Sequence, residues 1–207
     1  MRRLTIFWLL LSSMLISYSQ QYATTDDGRT VKLNTDGTWQ YSTREKINSE
    51  DSISHSYSKP QLATTYLKSS KNKFGFWYDK NIWKPAENNS NNYVDFQLDF
   101  SKGDAYAIFI SEKIEIDLAN LKKIVIRNAQ AEDPNIIVEK EETRLVNGHK
   151  VKYLQMSGMG HGVKFVYQGY YASNDSGTVQ FVCVTARNLL KDYEPYFQNL
   201  LNGLVSF

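Results

Sequence analysis

Strict alternation of apolar and polar residues is the feature that most constrains the fold of this 207-residue chain. It runs from Tyr93 to Phe100. The apolar residues on one side are Val94, Phe96, Leu98 and Phe100, and the polar side carries Tyr93, Asp95, Gln97 and Asp99. A period of two predicts a β-strand.

Turn and cap residues place the other elements around this strand. Asn147-Gly148 predicts a two-residue hairpin, and Asn174–Gly177 predicts a second turn. One helix is expected from an Asp117 N-cap to Pro134, and another after an Asp192 N-cap. The order β-β-β-α-β-β-β-β-α predicts an α+β fold, with an antiparallel sheet of six to seven strands and two helices packed on one face.

Residues 1–19 have the pattern of a secretory signal peptide. Two arginines precede an apolar run over residues 4–16, and Ser17-Tyr18-Ser19 offers small residues for cleavage before Gln20. The apolar run is shorter than the about 20 residues that span a bilayer, so no stable membrane span is expected after cleavage. The alternative is an uncleaved anchor.

The leader also accounts for the net charge. The chain has 24 Lys+Arg and 22 Asp+Glu, and the two leader arginines are the whole excess. The mature chain is therefore formally neutral and has no net field to attract phosphate backbones, so nucleic acid is not an expected partner. The single cysteine, Cys183, has apolar neighbours, which predicts an inert buried thiol.

The composition divides the rest of the chain into three parts. Residues 20–41 contain two Asp-Gly pairs between short β-prone runs, which predicts a small β-meander. Residues 42–72 are rich in Ser, Lys, Glu and Asn, which predicts a flexible linker. Residues 73–207 are long enough to bury their own core and are the predicted α+β domain.

Aromatic and apolar motifs follow one another in a recognisable order within residues 74–207. They are Phe76-Trp77-Tyr78, Ile82-Trp83, residues 166–171, residues 177–181 and Leu200-Leu201-Asn202-Gly203-Leu204. This order resembles the PsbP-like (DcrB-type) superfamily, which implies a non-enzymatic accessory or binding module. Residues 27–41 separately resemble a D-G-R-x-V-x-L-N-x-D-G-T-W motif near the start of many exported bacterial proteins.

The glycine-rich segment Met156–Gly162 contains the candidate reactive residues. Ser157 and His161 could form a nucleophilic site, although no G-x-S-x-G elbow or third acid is identifiable. His161 and Met159 could contact a ligand or a soft metal such as copper, but no second His or Cys stands at ligand spacing. The glycines favour a flexible hairpin loop. No catalytic residue, cofactor or metal is therefore predicted.

Aromatic residues leave a second signal in the strand Val163–Ala172. Phe165, Tyr167 and Tyr171 point to one face, whereas Val166 and Tyr170 point to the other. One face is expected to meet the helices, and the other could be covered or form a partly exposed platform for a protein, sugar or lipid. The candidate ligand-contact residues are Tyr167, Tyr170, His161 and Met159.

Together these patterns predict an exported, extracytoplasmic (periplasmic or secreted), non-catalytic binding or assembly protein of the cell envelope. Another envelope protein is the expected partner, and a small ligand is possible. Two alternatives stay open. One is an exported hydrolase or metal-handling protein that uses the Ser157–His161 loop, and the other is a small-ligand carrier that uses the aromatic sheet face.

Overall fold

The computed structural model describes residues 21–24, 30–34, 36–41, 53–87, 93–160 and 162–207. The chain divides into two compact units, residues 1–45 and residues 46–207. The predicted signal peptide, His161 and residues 42–52 of the predicted linker lie outside the described residues.

The first unit contains a three-stranded antiparallel sheet. Its strands, in sheet order, are β1 (Gln21–Thr24), β2 (Thr30–Leu33) and β3 (Trp39–Tyr41). The turn between β2 and β3 is held by Asp36, whose Oδ1 accepts hydrogen bonds from the Thr38 hydroxyl and backbone N–H. These hydrogen bonds lower the pKa of Asp36. Gly37 supplies the positive φ of 82° that the turn requires.

The second unit is an α+β domain. Its strands are β4 (His55–Tyr57), β5 (Thr65–Lys68), β6 (Phe74–Tyr78), β7 (Trp83–Pro85), β8 (Phe96–Phe100), β9 (Ala105–Glu112), β10 (Ile137–Val146), β11 (His149–Gly160), β12 (Val163–Asn174), β13 (Gly177–Ala186) and β14 (Leu204–Ser206). Its helices are α1 (Leu118–Glu132) and α2 (Leu190–Leu201), and a 3-10 turn over Arg187–Leu189 precedes α2.

Among the described residues, the main sheet has eight strands in the order β4-β10-β11-β12-β13-β9-β8-β7, and a smaller sheet has the order β14-β6-β5. The pair β4–β10 is parallel and the other pairs of the main sheet are antiparallel. The prediction of six to seven antiparallel strands is therefore wrong in the number of strands and in their orientation, because one pair is parallel. The added edge strands are three residues long and carry too little alternation to be recognised. Within the segment predicted as a linker, residues 53–72 contain β4 and β5.

One face of the main sheet is closed by α2 and the smaller sheet. A row of aromatic residues crosses this face at paired positions: Tyr153, Tyr170, Phe181, Phe109 and Phe96. Phe76 of β6 packs on this row, with its ring centroid 4.5 Å from that of Phe181 and 4.9 Å from that of Phe109. Helix α2 adds Phe197, Leu200 and Leu201 to the same core. We call this side the α2 face.

Helix α1 packs on the opposite side, the α1 face. Its Leu121 and Val125 contact a second cluster that includes Leu154, Val182 and Val184. Successive strand residues point to opposite faces, and these three residues are immediate neighbours of α2-face residues. The prediction of two helices on one face is therefore wrong. The central strands are apolar on both sides, so each side requires its own cover.

The helix starts differ in how well local sequence predicted them. The Asp117 N-cap of α1 is confirmed, because its Oδ1 accepts a hydrogen bond of 2.9 Å from the backbone N–H of Ala119. Helix α2 begins at Leu190, so Asp192 lies in the first turn and not at the N-cap. An acidic residue in that turn still interacts favourably with the helix dipole.

Candidate functional site

A single cross-strand row runs over the α1 face of the main sheet. Its members are paired on successive strands from β7 to β10: Lys84, Asp99, Tyr106, Val184, Tyr167, Met156 and Val138. Directly paired residues share a face, so all of these side chains stand on one side of the sheet. Charged groups occupy the β7–β8 end of the row, and apolar groups occupy the remainder.

Helix α1 covers part of this row. Under the helix, Met156 is 4% exposed and Val184 is 3% exposed, whereas Tyr106 remains 39% exposed. The uncovered part contains two adjoining hollows of about 520 and 350 Å³. Both hollows are lined by Gln97, Asp99 and Phe100, so they form one open depression. We call it the α1-face groove and define it by Lys84, Gln97, Asp99, Tyr106 and Phe165.

Strand β8 positions the polar side chains of the groove. Leu98 and Phe100 are buried on the α2 face, so the alternation turns Gln97 and Asp99 to the α1 face. The amide Nε2 of Gln97 donates a hydrogen bond of 3.3 Å to Asp99 Oδ1. At the end of the groove, a Cβ at Gly103 would lie 2.0 Å from the Tyr193 hydroxyl, so the β8–β9 turn needs glycine for this close approach.

The groove is acidic, and the tyrosine hydroxyls within it and beside it are protonated. Burial raises the pKa of Tyr106, and the neighbouring Tyr167 raises it further. Burial and the charge of Asp133 likewise raise the pKa of Tyr167. Both phenols therefore remain neutral hydrogen-bonding groups near neutral pH. The charged lining residues are Lys84, Glu87, Asp99 and Asp104.

The predicted contact residues are not brought together. Tyr167 stands in the row beside the groove, whereas Tyr170 is fully buried on the opposite, α2 face. Met159 is 49% exposed near the end of β11, and its backbone N–H donates a hydrogen bond of 2.6 Å to Asp133 Oδ2. His161 lies outside the described residues, so its prediction as a contact stays a prediction.

The hydroxyl of Tyr170 belongs to a buried network beneath α2. It accepts a hydrogen bond of 3.0 Å from Arg144 and donates one of 2.7 Å to Asn202 Oδ1. Arg144 also donates to Gln198 of α2, and its guanidinium lies 3.6 Å from the ring centroid of Tyr153. Burial raises the pKa of Tyr170 to about 12, although the charge of Arg144 opposes this. The network ties α2 to the sheet.

Ser157 lies in a second hydrogen-bond network, which is partly buried, on the α2 face. It is 1% exposed, and its hydroxyl donates a hydrogen bond of 2.8 Å to Glu139 Oε1. Burial raises the pKa of Glu139, but hydrogen bonds from Gln155, Ser157 and Arg187, together with the Arg187 charge, outweigh it and lower the pKa to about 2. A carboxylate with so low a pKa is a poor general base near neutral pH.

The segment predicted as a glycine-rich loop is largely a paired strand. Strand β11 continues to Gly160, with Gly158 opposite Phe165 and Gly160 opposite Val163. A Cβ at Gly158 would lie 2.4 Å from Asp133 Oδ2, so glycine allows Asp133 to approach the strand. The glycines in this part of β11 therefore serve close packing.

The remaining candidate groups for chemistry have no reactive setting. Cys183 is fully buried on the α2 face, and burial raises the pKa of its thiol well above the usual value. Across the described ranges, no group of three or more His, Cys, Asp or Glu residues is placed to hold a metal ion. Within the same part of the chain, no helix is long and apolar enough to cross a membrane.

Sequence reasoning did not identify the groove residues as a site. Gln97 and Asp99 fall on the polar side of the alternating strand, and Tyr106 lies in a run of mostly apolar residues. The sequence signal that could have identified the groove is the polar side of this strand. A half-polar strand beside a nearly continuous apolar one indicates a sheet region that is covered on one face and accessible on the other.

Comparisons with known proteins support the fold. No family model and no curated protein matches the chain. The solved structure of cyanobacterial PsbP from Synechocystis sp. PCC 6803 aligns with a TM-score of 0.52 and 13% identity, covering 72% of this chain and 95% of that chain. The chain has a PsbP-like fold. The fold expected from the sequence resemblance is thus confirmed.

Two further solved structures align less well. A Pseudomonas aeruginosa protein of unknown function has a TM-score of 0.46 and 12% identity, covering 69% of this chain and 96% of that chain. LpqN, involved in cell envelope biogenesis of Mycobacterium tuberculosis, has a TM-score of 0.35 and 11% identity, covering 72% and 80%. Similarity at this level carries no activity from one protein to another.

Proposed function

We propose that this chain is an exported, non-catalytic binding or assembly protein of the cell envelope, and that it binds its partner in the α1-face groove. The observation that carries the proposal is a separation of faces. Ser157, Glu139 and Cys183 lie on the α2 face, while the open groove lies on the α1 face. A substrate in the groove would not reach these groups.

The pKa values of Glu139 and Tyr170 are also too far from neutrality for acid–base catalysis. Catalytic acids and bases operate best with a pKa near the working pH. The pKa of Glu139 is lowered to about 2 and that of Tyr170 is raised to about 12. The hydrogen bonds of Glu139 and Tyr170 stabilise the fold. The groove on the other face is therefore better explained by binding than by catalysis.

A hydrolase centred on Ser157 and His161 is the second candidate, and the contact between Ser157 and Glu139 is the observation in its favour. Mature wild-type protein and the Ser157→Ala variant should be compared on ester, phosphoester and peptide substrates. We expect no turnover that depends on Ser157. Steady turnover that disappears in Ser157→Ala would replace the binding proposal with this one.

The binding role is tested by site-specific photo-cross-linking in the native cells. A photoreactive phenylalanine analogue replaces Tyr106 in the groove or, as a matched control, Tyr93, which is 80% exposed. We expect a discrete adduct from position 106 and none from position 93. No adduct at position 106, or equal adducts at both positions, would refute the groove as the binding surface.

Export is tested separately by fractionation and by mass spectrometry of the mature N-terminus. We expect the mature chain outside the cytoplasm, with Gln20 as its first residue. Accumulation of the uncleaved chain in the cytoplasm would contradict an envelope role without bearing on the groove.

A further inference from the structure

We propose that the α1-face groove binds an uncharged glycan, which names a ligand class for the binding role above and rests on that role. Tyr106 and Phe165 offer aromatic surface in the same hollow as Gln97 and Asp99. The C–H faces of a sugar ring pack against aromatic rings. Planar amide and carboxylate groups each offer two hydrogen-bonding atoms, which suit adjacent sugar hydroxyls.

The charges of the groove exclude the common anionic ligands. Glu87, Asp99 and Asp104 outnumber Lys84 along the lining. This acidic excess repels phosphate, sulfate and anionic lipid headgroups. Lys84 is paired directly with Asp99 in the strand register, so it offsets part of the attraction that the carboxylates offer to a polycation. A ligand without net charge is bound without repulsion from charges of either sign.

The composition of the groove also argues against a protein partner at this surface. The centre of a protein–protein interface is depleted in charged residues. Here Gln97 and Asp99 line both hollows and therefore lie at the middle of the groove. An apolar protein surface would desolvate them without replacing their hydrogen bonds, which is unfavourable. A ligand rich in hydroxyl groups replaces those bonds.

The dimensions of the groove match a short stretch of a chain of sugars. The two hollows are continuous from β7 to β9 and adjoin the row that leads to Tyr167 on β12. Tyr106 and Tyr167 are separated by two strand spacings, or about 9.5 Å, roughly the length of a disaccharide. Because the hollows are open to solvent, a polysaccharide could enter without a free end.

Titration with uncharged tetrasaccharides tests the proposal. The isotope-labelled full-length protein is titrated with tetrasaccharides of N-acetylglucosamine or of glucose, and its amide chemical shifts are followed by NMR. We expect saturable shifts centred on Gln97, Asp99 and Tyr106. Tyr106→Ala and Gln97→Ala should each weaken binding by about fivefold, through lost ring contact or a lost hydrogen bond. Tyr93→Ala is the matched control and should bind like wild type.

The outcomes separate the glycan from the binding role on which it rests. Absence of saturable shifts with both tetrasaccharides, or shifts only with oligolysine or polyglutamate, would overturn the glycan assignment. If a protein is cross-linked at position 106 while no tetrasaccharide binds, the binding role stands and the glycan fails. If neither occurs, both fail. The chemical-shift map is recorded on the wild-type protein. The test therefore remains decisive even if Tyr106→Ala misfolds.

Discussion

The two faces of the main sheet are covered to different extents. On the α2 face, a second sheet and a helix cover the aromatic row, and Phe76, Phe109 and Phe181 are fully buried. On the α1 face, one helix covers the central strands and leaves Tyr106 39% exposed. The closed face holds the domain together, and the half-open face provides a surface that a partner can reach.

Simple dimensions explain this difference. Eight strands at about 4.8 Å spacing form a sheet about 34 Å across, whereas a helix with its side chains is about 10 Å wide. Helix α1 therefore cannot cover the whole α1 face. On the other face, the smaller sheet β14-β6-β5 supplies the cover that a single helix lacks. The groove is thus present because a single helix covers only part of the α1 face.

The largest expected effect is on the closed face. Phe76→Ala removes a fully buried ring that packs against Phe96, Phe109 and Phe181. We expect the free energy of unfolding to fall by about 3–5 kcal/mol, measured by urea denaturation. Phe207→Ala is the control, since Phe207 is 64% exposed, and it should change little. Similar losses for both variants would contradict the closed core.

The next effect concerns the buried arginine beneath α2. Arg144→Ala leaves Glu142 without the guanidinium that now lies 2.6 Å away, and it removes donors to Tyr170 and Gln198. We expect a loss of about 2–3 kcal/mol in the free energy of unfolding, because the Tyr170 hydroxyl and Gln198 lose a charged hydrogen-bond donor, while Glu142 keeps its ion pair with Lys140. Arg127→Ala, at an exposed position on α1, is the matched control. Equal stability of the two variants would show that the network is dispensable.

Local sequence patterns predicted part of this architecture. The strand Phe96–Phe100 and the Asp117 cap were predictable because alternation and capping residues are local signals. Strand β4 could not be predicted, since three residues of polar sequence join the sheet only through their long-range pairing with β10. The hydrogen-bond partner of Ser157 could not be predicted either. Glu139 lies on a different strand, and only the pairing of β10 with β11 brings the two together.

Acidic pH offers a test of the Glu139 network. The folded-state pKa of about 2 lies below the ordinary value of 4.5, so this carboxylate stabilises the fold above about pH 4.5. That stabilisation is lost as the pH falls from 4.5 towards 2. We expect Glu139→Gln to be less stable than wild type at pH 7, and the difference to shrink across this window. The exposed control Glu87→Gln should follow the wild-type curve, and a pH-independent difference would argue against the lowered pKa.

The smallest expected effects fall on the groove, and they complete the contrast within a single face. Tyr106→Ala and Gln97→Ala should each change the free energy of unfolding by less than about 1 kcal/mol, because their side chains are partly solvated and close no core. Leu154→Ala, on the same face but fully buried under α1, should cost about 2–5 kcal/mol. Urea denaturation of the three variants measures these changes in the free energy of unfolding. If the groove variants lost as much stability as Leu154→Ala, their side chains would be part of the core. Small losses of stability together with weakened binding would instead establish the groove as a surface free to serve a partner.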